Sequence, residues 1–175
     1  MKRSLIAASV LSAVFMSAGA FAADEDMGEL KINGEVVGTT CQFLGTNTAE
    51  IRLNEIGADK IINLTPGQIY DAVTNQTQMP LKIKCQQGVA PRITFSSTQF
   101  DSHDITFNNG SAKGVGFAVY YGSTDNQIDP ETGVTLDPNS SGEYDLTFLA
   151  RYARLDGDVA SGDVSSTLTL TVVTD

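Results

Sequence analysis

Apolar residues along this chain recur at every second position rather than every third or fourth. Glu35, Val36 and Val37 lead into Cys41 and Phe43, and Ile51 and Leu53 flank Arg52. Leu81, Ile83 and Cys85 alternate with Lys82 and Lys84, and Ile93 and Phe95 with Thr94 and Ser96. Val115, Phe117, Val119 and Tyr121 share one parity, as do Leu146, Phe148, Ala150 and Tyr152. Leu168, Leu170 and Val172 form the last such row, within 167–173. A period of two belongs to half-buried strands, whose successive side chains point to opposite faces. Between the rows lie Asn108-Asn109-Gly110, Asp129-Pro130, Asp137-Pro138-Asn139, Asp156-Gly157-Asp158 and Ser161-Gly162-Asp163, residues that fix or tolerate the backbone angles of reversals. No segment sustains helical periodicity beyond one or two turns. Many short strands with regular turns predict one all-β domain, a Greek-key sandwich.

One row stands apart. Leu30 and Ile32 alternate with Glu29 and Lys31, ahead of the first cysteine, behind Asp24, Glu25 and Asp26, and with Gly28 and Gly34 at its ends. We read it as a strand on the outside of the domain, apolar on one face. Such an edge invites aggregation unless another chain takes it, so the strand reads as one to be given away. The last row, Leu168 to Val172, reads as a second edge strand, at the other end of the domain.

The first 22 residues change the setting. Lys2 and Arg3 precede a short apolar stretch, Leu5 to Met16, and Ala20 and Ala22 give a small-x-small cleavage pattern. This is a secretory signal over 1–22, too short for a membrane span. The mature chain then starts at Ala23 and keeps 175 − 22 = 153 residues, enough for one domain with its own core. Removing Lys2 and Arg3 leaves 9 basic against 21 acidic residues, a formal charge of −12 in place of −10. That balance repels nucleic acid and anionic membranes. In an exported chain, the only two cysteines, Cys41 and Cys85, read as a disulfide.

Candidate chemistry is sparse. His103 is the only histidine, and no G-x-S-x-G motif accompanies it. Asp156, Asp158 and Asp163 lack the spacing and terminal Glu of a calcium loop, and read as turn acids. Neither catalysis nor a cofactor or metal is expected.

Several segments, taken in order, resemble pilins of the chaperone–usher family, the shaft subunits of type 1-like fimbriae. The front segment 28–37 resembles the family's donor strand and first domain strand, with Cys41 following at the usual distance. Residues 79–85, ending in Cys85, resemble the second-cysteine strand, and 113–119 the Gly-Val-Gly central strand. Phe148-Leu149-Ala150-Arg151-Tyr152 resembles the Phe-x-Ala-Arg-Tyr signature.

The resemblance implies an incomplete immunoglobulin-like sandwich over 35–175, preceded by a donor-strand extension over 23–34. Gly28, Leu30 and Ile32 would be the inward donor residues, and Leu168, Leu170 and Val172 would border the groove that receives them. A periplasmic chaperone would fill that groove first, anchoring the carboxylate of Asp175. At an outer-membrane usher, the extension of the next identical or related subunit would replace it, building a head-to-tail surface fimbrium that supports cell adhesion. The family usually has a tyrosine where this chain has Thr174, so the resemblance does not specify the chaperone. The acids at 24–26 would shorten the inserted segment and leave Leu30 and Ile32 with most of the burial. Two other readings stand beside the shaft subunit: a minor tip or adaptor pilin, and a monomeric secreted sandwich acting as a binding module.

Overall fold

A computed structural model describes residues 28–36 and 41–174. The signal, the acids at 24–26 and Asp175 lie outside the described residues. The chain forms β1 (Gly28–Val36), β2 (Cys41–Phe43), β3 (Thr48–Leu53), the single-turn helix α1 (Ala58–Ile62), β4 (Asn75–Gln76), β5 (Leu81–Cys85) and β6 (Pro91–Phe95). It continues with β7 (Val115–Tyr121), β8 (Val134–Thr135), β9 (Glu143–Leu146), β10 (Phe148–Arg154) and β11 (Ser165–Thr174). The rows of β1, β3, β5, β6 and β11 each become one strand whose apolar parity is the buried one, while β7 is buried on both faces as far as Tyr120.

The strands make an immunoglobulin-like sandwich. One layer is a five-stranded sheet in the order β3-β1-β11-β6-β8. The other is built from β4-β10-β7 and β2-β5-β9. Between them lies a continuous apolar core holding Leu30, Ile32, Ile51, Leu81, Ile93, Phe117, Phe148, Leu168 and Leu170, all but fully buried. Turn residues behave as their chemistry predicts: Asp129 Oδ1 accepts from the Glu131 N–H, and Asn139 Oδ1 from the Gly142 N–H.

Two expectations need correction. The row Leu146 to Tyr152 is not one strand. The chain leaves β9, which pairs with β5, and after Thr147 enters β10, which pairs with β7. Parity survives this change of partner, since both Leu146 and Phe148 remain inward, and so the sequence conceals it. Nor are the first and last rows edges. β1 and β11 are neighbours inside one sheet, and the edges are β3 and β8. β1 runs parallel to β11, from Glu29 opposite Ser165 to Val36 opposite Val172, and antiparallel to β3, from Gly28 opposite Leu53 to Asn33 opposite Thr48. Without β1, the apolar rows of β3 and β11 would flank an open slot. In this chain β1 fills that slot.

Cys41 and Cys85 face each other directly across β2 and β5 and are joined by a disulfide. It closes a loop of 44 residues, for which chain-entropy arguments give a stabilisation of about 4 kcal/mol. Cys41→Ala is expected to reduce the yield of folded protein in the periplasm and to lower the denaturant midpoint by the equivalent of a few kcal/mol. An unchanged midpoint would remove the structural role of this bridge.

Candidate functional site

The slot between β3 and β11 is where the unusual front segment meets the rest of the molecule. Along β1 the buried positions are Gly28, Leu30, Ile32 and Gly34, and the outward ones are Glu29, Lys31, Asn33 and Glu35. Leu30 and Ile32 are fully buried, each worth roughly 1.5–3 kcal/mol of hydrophobic stabilisation. Leu168, Leu170 and Val172 of β11 line one wall, and Ala49, Ile51 and Leu53 of β3 line the other. The structure therefore brings together the predicted donor residues and the predicted groove residues within one chain.

The floor explains the glycines. A Cβ added at Gly28 would overlap the Tyr152 hydroxyl, and one at Gly34 would overlap the Phe43 ring. Both positions need glycine for close approach rather than for backbone freedom. Gly34 had no assigned role in the sequence reading; the available signal was a second glycine at the parity of Gly28. The signature residues also acquire tasks. Ala150 is buried against the core, and Tyr152 packs on Phe117 with ring centroids 5.3 Å apart. Arg151 points outward, over the Tyr120 ring at 5.6 Å, and its Nε donates to Thr74 Oγ1 at 2.6 Å.

Tyr152 is the one titratable group at the slot whose environment moves it far. Burial raises its pKa from 10.0 to about 12, against a smaller opposing effect from the Gly28 N–H, which donates to the phenol oxygen. Beside this contact, at the Gly28 end of the row, a cavity of about 190 Å³ opens, with Ile56, Ile61, Val115, Val159 and Val164 among its lining residues. The start of β11 is held there by side chains of the 106–108 segment. Asn108 Oδ1 accepts from the Ser165 N–H at 2.8 Å, while the Thr106 and Ser166 hydroxyls meet at 2.8 Å in the interior.

Outside the slot the strand carries charge. Glu29 lies opposite Arg52, and Lys31 opposite Glu50. Lys31 Nζ also pairs with Glu29 on its own strand. That hydrogen bond, set against partial burial, leaves the Glu29 carboxyl below its ordinary value; the Lys31 ammonium is raised by the same contact.

The remaining candidates stay apart. His103 sits in an exposed loop, its N–H donating to Asp101 Oδ1 at 2.9 Å. Asp156, Asp158 and Asp163 are exposed turn acids. Among the described residues, no group of three or more His, Cys, Asp or Glu could hold a metal ion, and no helix is long and apolar enough to cross a membrane.

Two comparisons bear on this arrangement. Residues 30–174 match the family described as fimbrial protein. Over 183 aligned positions the chain is 33% identical to the uncharacterized fimbrial-like protein YehD of Escherichia coli (strain K12), with all of both chains covered.

Two outcomes follow from the slot. Gly28→Ala should lower the thermal midpoint by several degrees, because the buried Tyr152 ring cannot move aside without disturbing the core, and Gly34→Ala should lower it less, since the half-buried Phe43 ring has room to shift. The raised Tyr152 pKa means that the folded state keeps its proton while the unfolded chain loses it. Stability should therefore fall as pH rises from about 10 towards 12, by up to ~2–3 kcal/mol. Denaturant midpoints across that range should show a component that Tyr152→Phe removes; an identical slope in that variant would sink the assignment.

Proposed function

The chain belongs to the fimbrial protein family, and on that premise we propose that it polymerises by donor-strand exchange, as a shaft subunit of a fimbrium that supports adhesion. Membership itself makes it a fimbrial subunit, exported through the periplasm to a surface appendage, and points to a structural rather than an enzymatic task. The observation that carries the proposal is the slot between β3 and β11, filled by a strand whose buried row is Gly28, Leu30, Ile32 and Gly34. β1 stands at the start of the described residues, so its departure and replacement by its equivalent from another copy would break the path of none of the other described strands. No other strand need be threaded or broken. This is strand addition to a sheet, in which backbone hydrogen bonds supply affinity and alternating pockets supply register.

A contact of this kind is head-to-tail: one copy gives a strand and receives another elsewhere. It does not close on itself and so extends as a filament. Before assembly, a periplasmic chaperone is the partner that would occupy the slot in place of β1, and an outer-membrane usher the site where one strand replaces the other. The filament's persistence would be kinetic, governed by slow withdrawal of a strand from a closed core.

A second reading rests on the same observation. β1 completes its own sheet in the lone chain, which is what a self-sufficient monomeric binding module would do. The two readings part on the surface fraction run unboiled. Ladders that collapse to one band on heating fit donation, whereas a single monomer band fits the module.

Deletion of 23–32 tests the donor role directly. The shortened chain should be recovered bound to a chaperone yet fail to pass a strand to a neighbour. Filaments of normal length from that variant would exclude Leu30 and Ile32 as donor residues. Leu30→Ala in the full chain should cost about 2–5 kcal/mol in thermal or denaturant stability.

A further inference from the structure

β3 is an edge strand, paired with β1 on one side only. In that antiparallel ladder the Gly34 N–H donates to the Asn47 carbonyl at 2.8 Å. Bonded pairs alternate along such a ladder, so Ala49, Ile51 and Leu53 turn their peptide groups to β1, while Glu50 and Arg52 turn theirs outward. At Thr48 the outward groups are already served. Its N–H donates to Thr46 Oγ1 at 3.1 Å, and its carbonyl accepts from the same hydroxyl at 3.2 Å. The open part of the edge is therefore short and bounded, from Glu50 to Arg52. Beside it lies a groove of about 520 Å³, with Thr48, Ala49, Glu50, Gln78 and Met79 in its lining. Met79 is 68% exposed, more than any other large apolar side chain among the described residues.

This edge is complementary to itself. A second β3 laid antiparallel beside the first, with Ile51 opposite Ile51, sets Glu50 against Arg52 of the second copy and Arg52 against its Glu50. All four residues belong to the outward-turned set, so each opposed pair exchanges both backbone bonds. The charges agree with this register over four strands. Within one chain Glu29 lies opposite Arg52, and Lys31 opposite Glu50. Across the new contact the rows would read Glu29, Arg52, Glu50, Lys31, with the sign alternating at every step. Along the strands it alternates as well, since Lys31 pairs with Glu29 and Arg52 with Glu50. Charges of one sign would repel a copy of the same edge; Glu50 and Arg52 together attract it.

We propose that β3 pairs with β3 of a second copy, antiparallel about a two-fold axis at Ile51, joining two five-stranded sheets into one. A two-fold contact closes on itself and makes pairs rather than chains. It uses a side of the domain that the slot leaves free: β3 bonds the strand in the slot through its odd residues and the second copy through its even ones. The inference goes beyond the donor reading and stands without it. Where subunits are joined into a filament, the contact would repeat along the flank. Weak contacts in register multiply, and would hold two filaments side by side.

Sedimentation of the purified full chain tests this. Dimer should grow between about 10 µM and 1 mM, the range of a small, transient interface. Only dimer that dissociates on dilution is counted, which sets it apart from slowly exchanging strands in the slot. Glu50→Arg opposes positive charges across the axis and Arg52→Glu opposes negative ones, so each variant alone should lose association about fivefold or more. Mixed in equal amounts, the two should recover it as a heterodimer, because each presents the sign that the other lacks. Both changes also disturb Glu29 and Lys31 within one chain, but mixing leaves that effect untouched, and two misfolded chains would not rescue each other. Glu50→Cys mixed with Arg52→Cys should form a disulfide between chains faster than either variant alone, since directly opposed positions of a bonded pair lie about 5.5 Å apart at Cα. An unmodified chain that stays monomeric at about 1 mM would overturn the proposal. So would charge variants whose mixture associates no better than its components, or cysteine variants that link no faster when mixed.

Discussion

Two backbone edges and the apolar strip between them govern this molecule. β3 and β11 each turn a row of peptide groups and a row of aliphatic side chains toward the same gap. Unfilled, that gap would leave Ile51, Leu53, Leu168 and Leu170 beside solvent and two ladders half made. Filled, it becomes the middle of a five-stranded sheet. The rest of the fold can be seen as support for it. β10 provides Tyr152 beneath one end, β2 provides Phe43 beneath the other, and the disulfide fixes β2 to β5. Asn108 and Thr106 hold the start of β11 by bonds that do not involve β1. One wall therefore keeps anchors of its own.

Much of this could be read from residue order. Period two marked most long strands and the face they bury, because a pleated chain in a sandwich commonly has one wet side and one dry side; β7, buried on both faces, is the exception. The cysteine pair was legible from number and export alone. What alternation alone could not give is who pairs with whom; the β11 side was implied only by the family resemblance, and the β3 side by nothing in the sequence. Alternation at Leu30 and Ile32 says that one face is buried, not that the flanking strands are β3 and β11, which come from distant parts of the chain. The bend at Thr147 was hidden for a related reason, since parity continues through it. Gly34 was overlooked because a glycine's reason for being there sits in another element, here the Phe43 ring.

The outer face of β1 has a separate logic. Burial is satisfied by two branched aliphatics between two glycines, a motif with no polarity along its axis. On the outer face Glu29 lies opposite Arg52 and Lys31 opposite Glu50, with Lys31 paired to Glu29 and Arg52 to Glu50 along their own strands. Exposed charges of this kind contribute little to stability.

The length of the β1–β11 pairing carries a mechanical meaning. It extends from Glu29 opposite Ser165 to Val36 opposite Val172, with β3 flanking much of the same strand. Tension directed along the axis of β1 would be shared by the whole ladder in shear, so no single hydrogen bond could yield first. A sideways pull at one end would meet them in succession, as a zipper does. The same seat can thus resist stretching strongly and still open readily from its end.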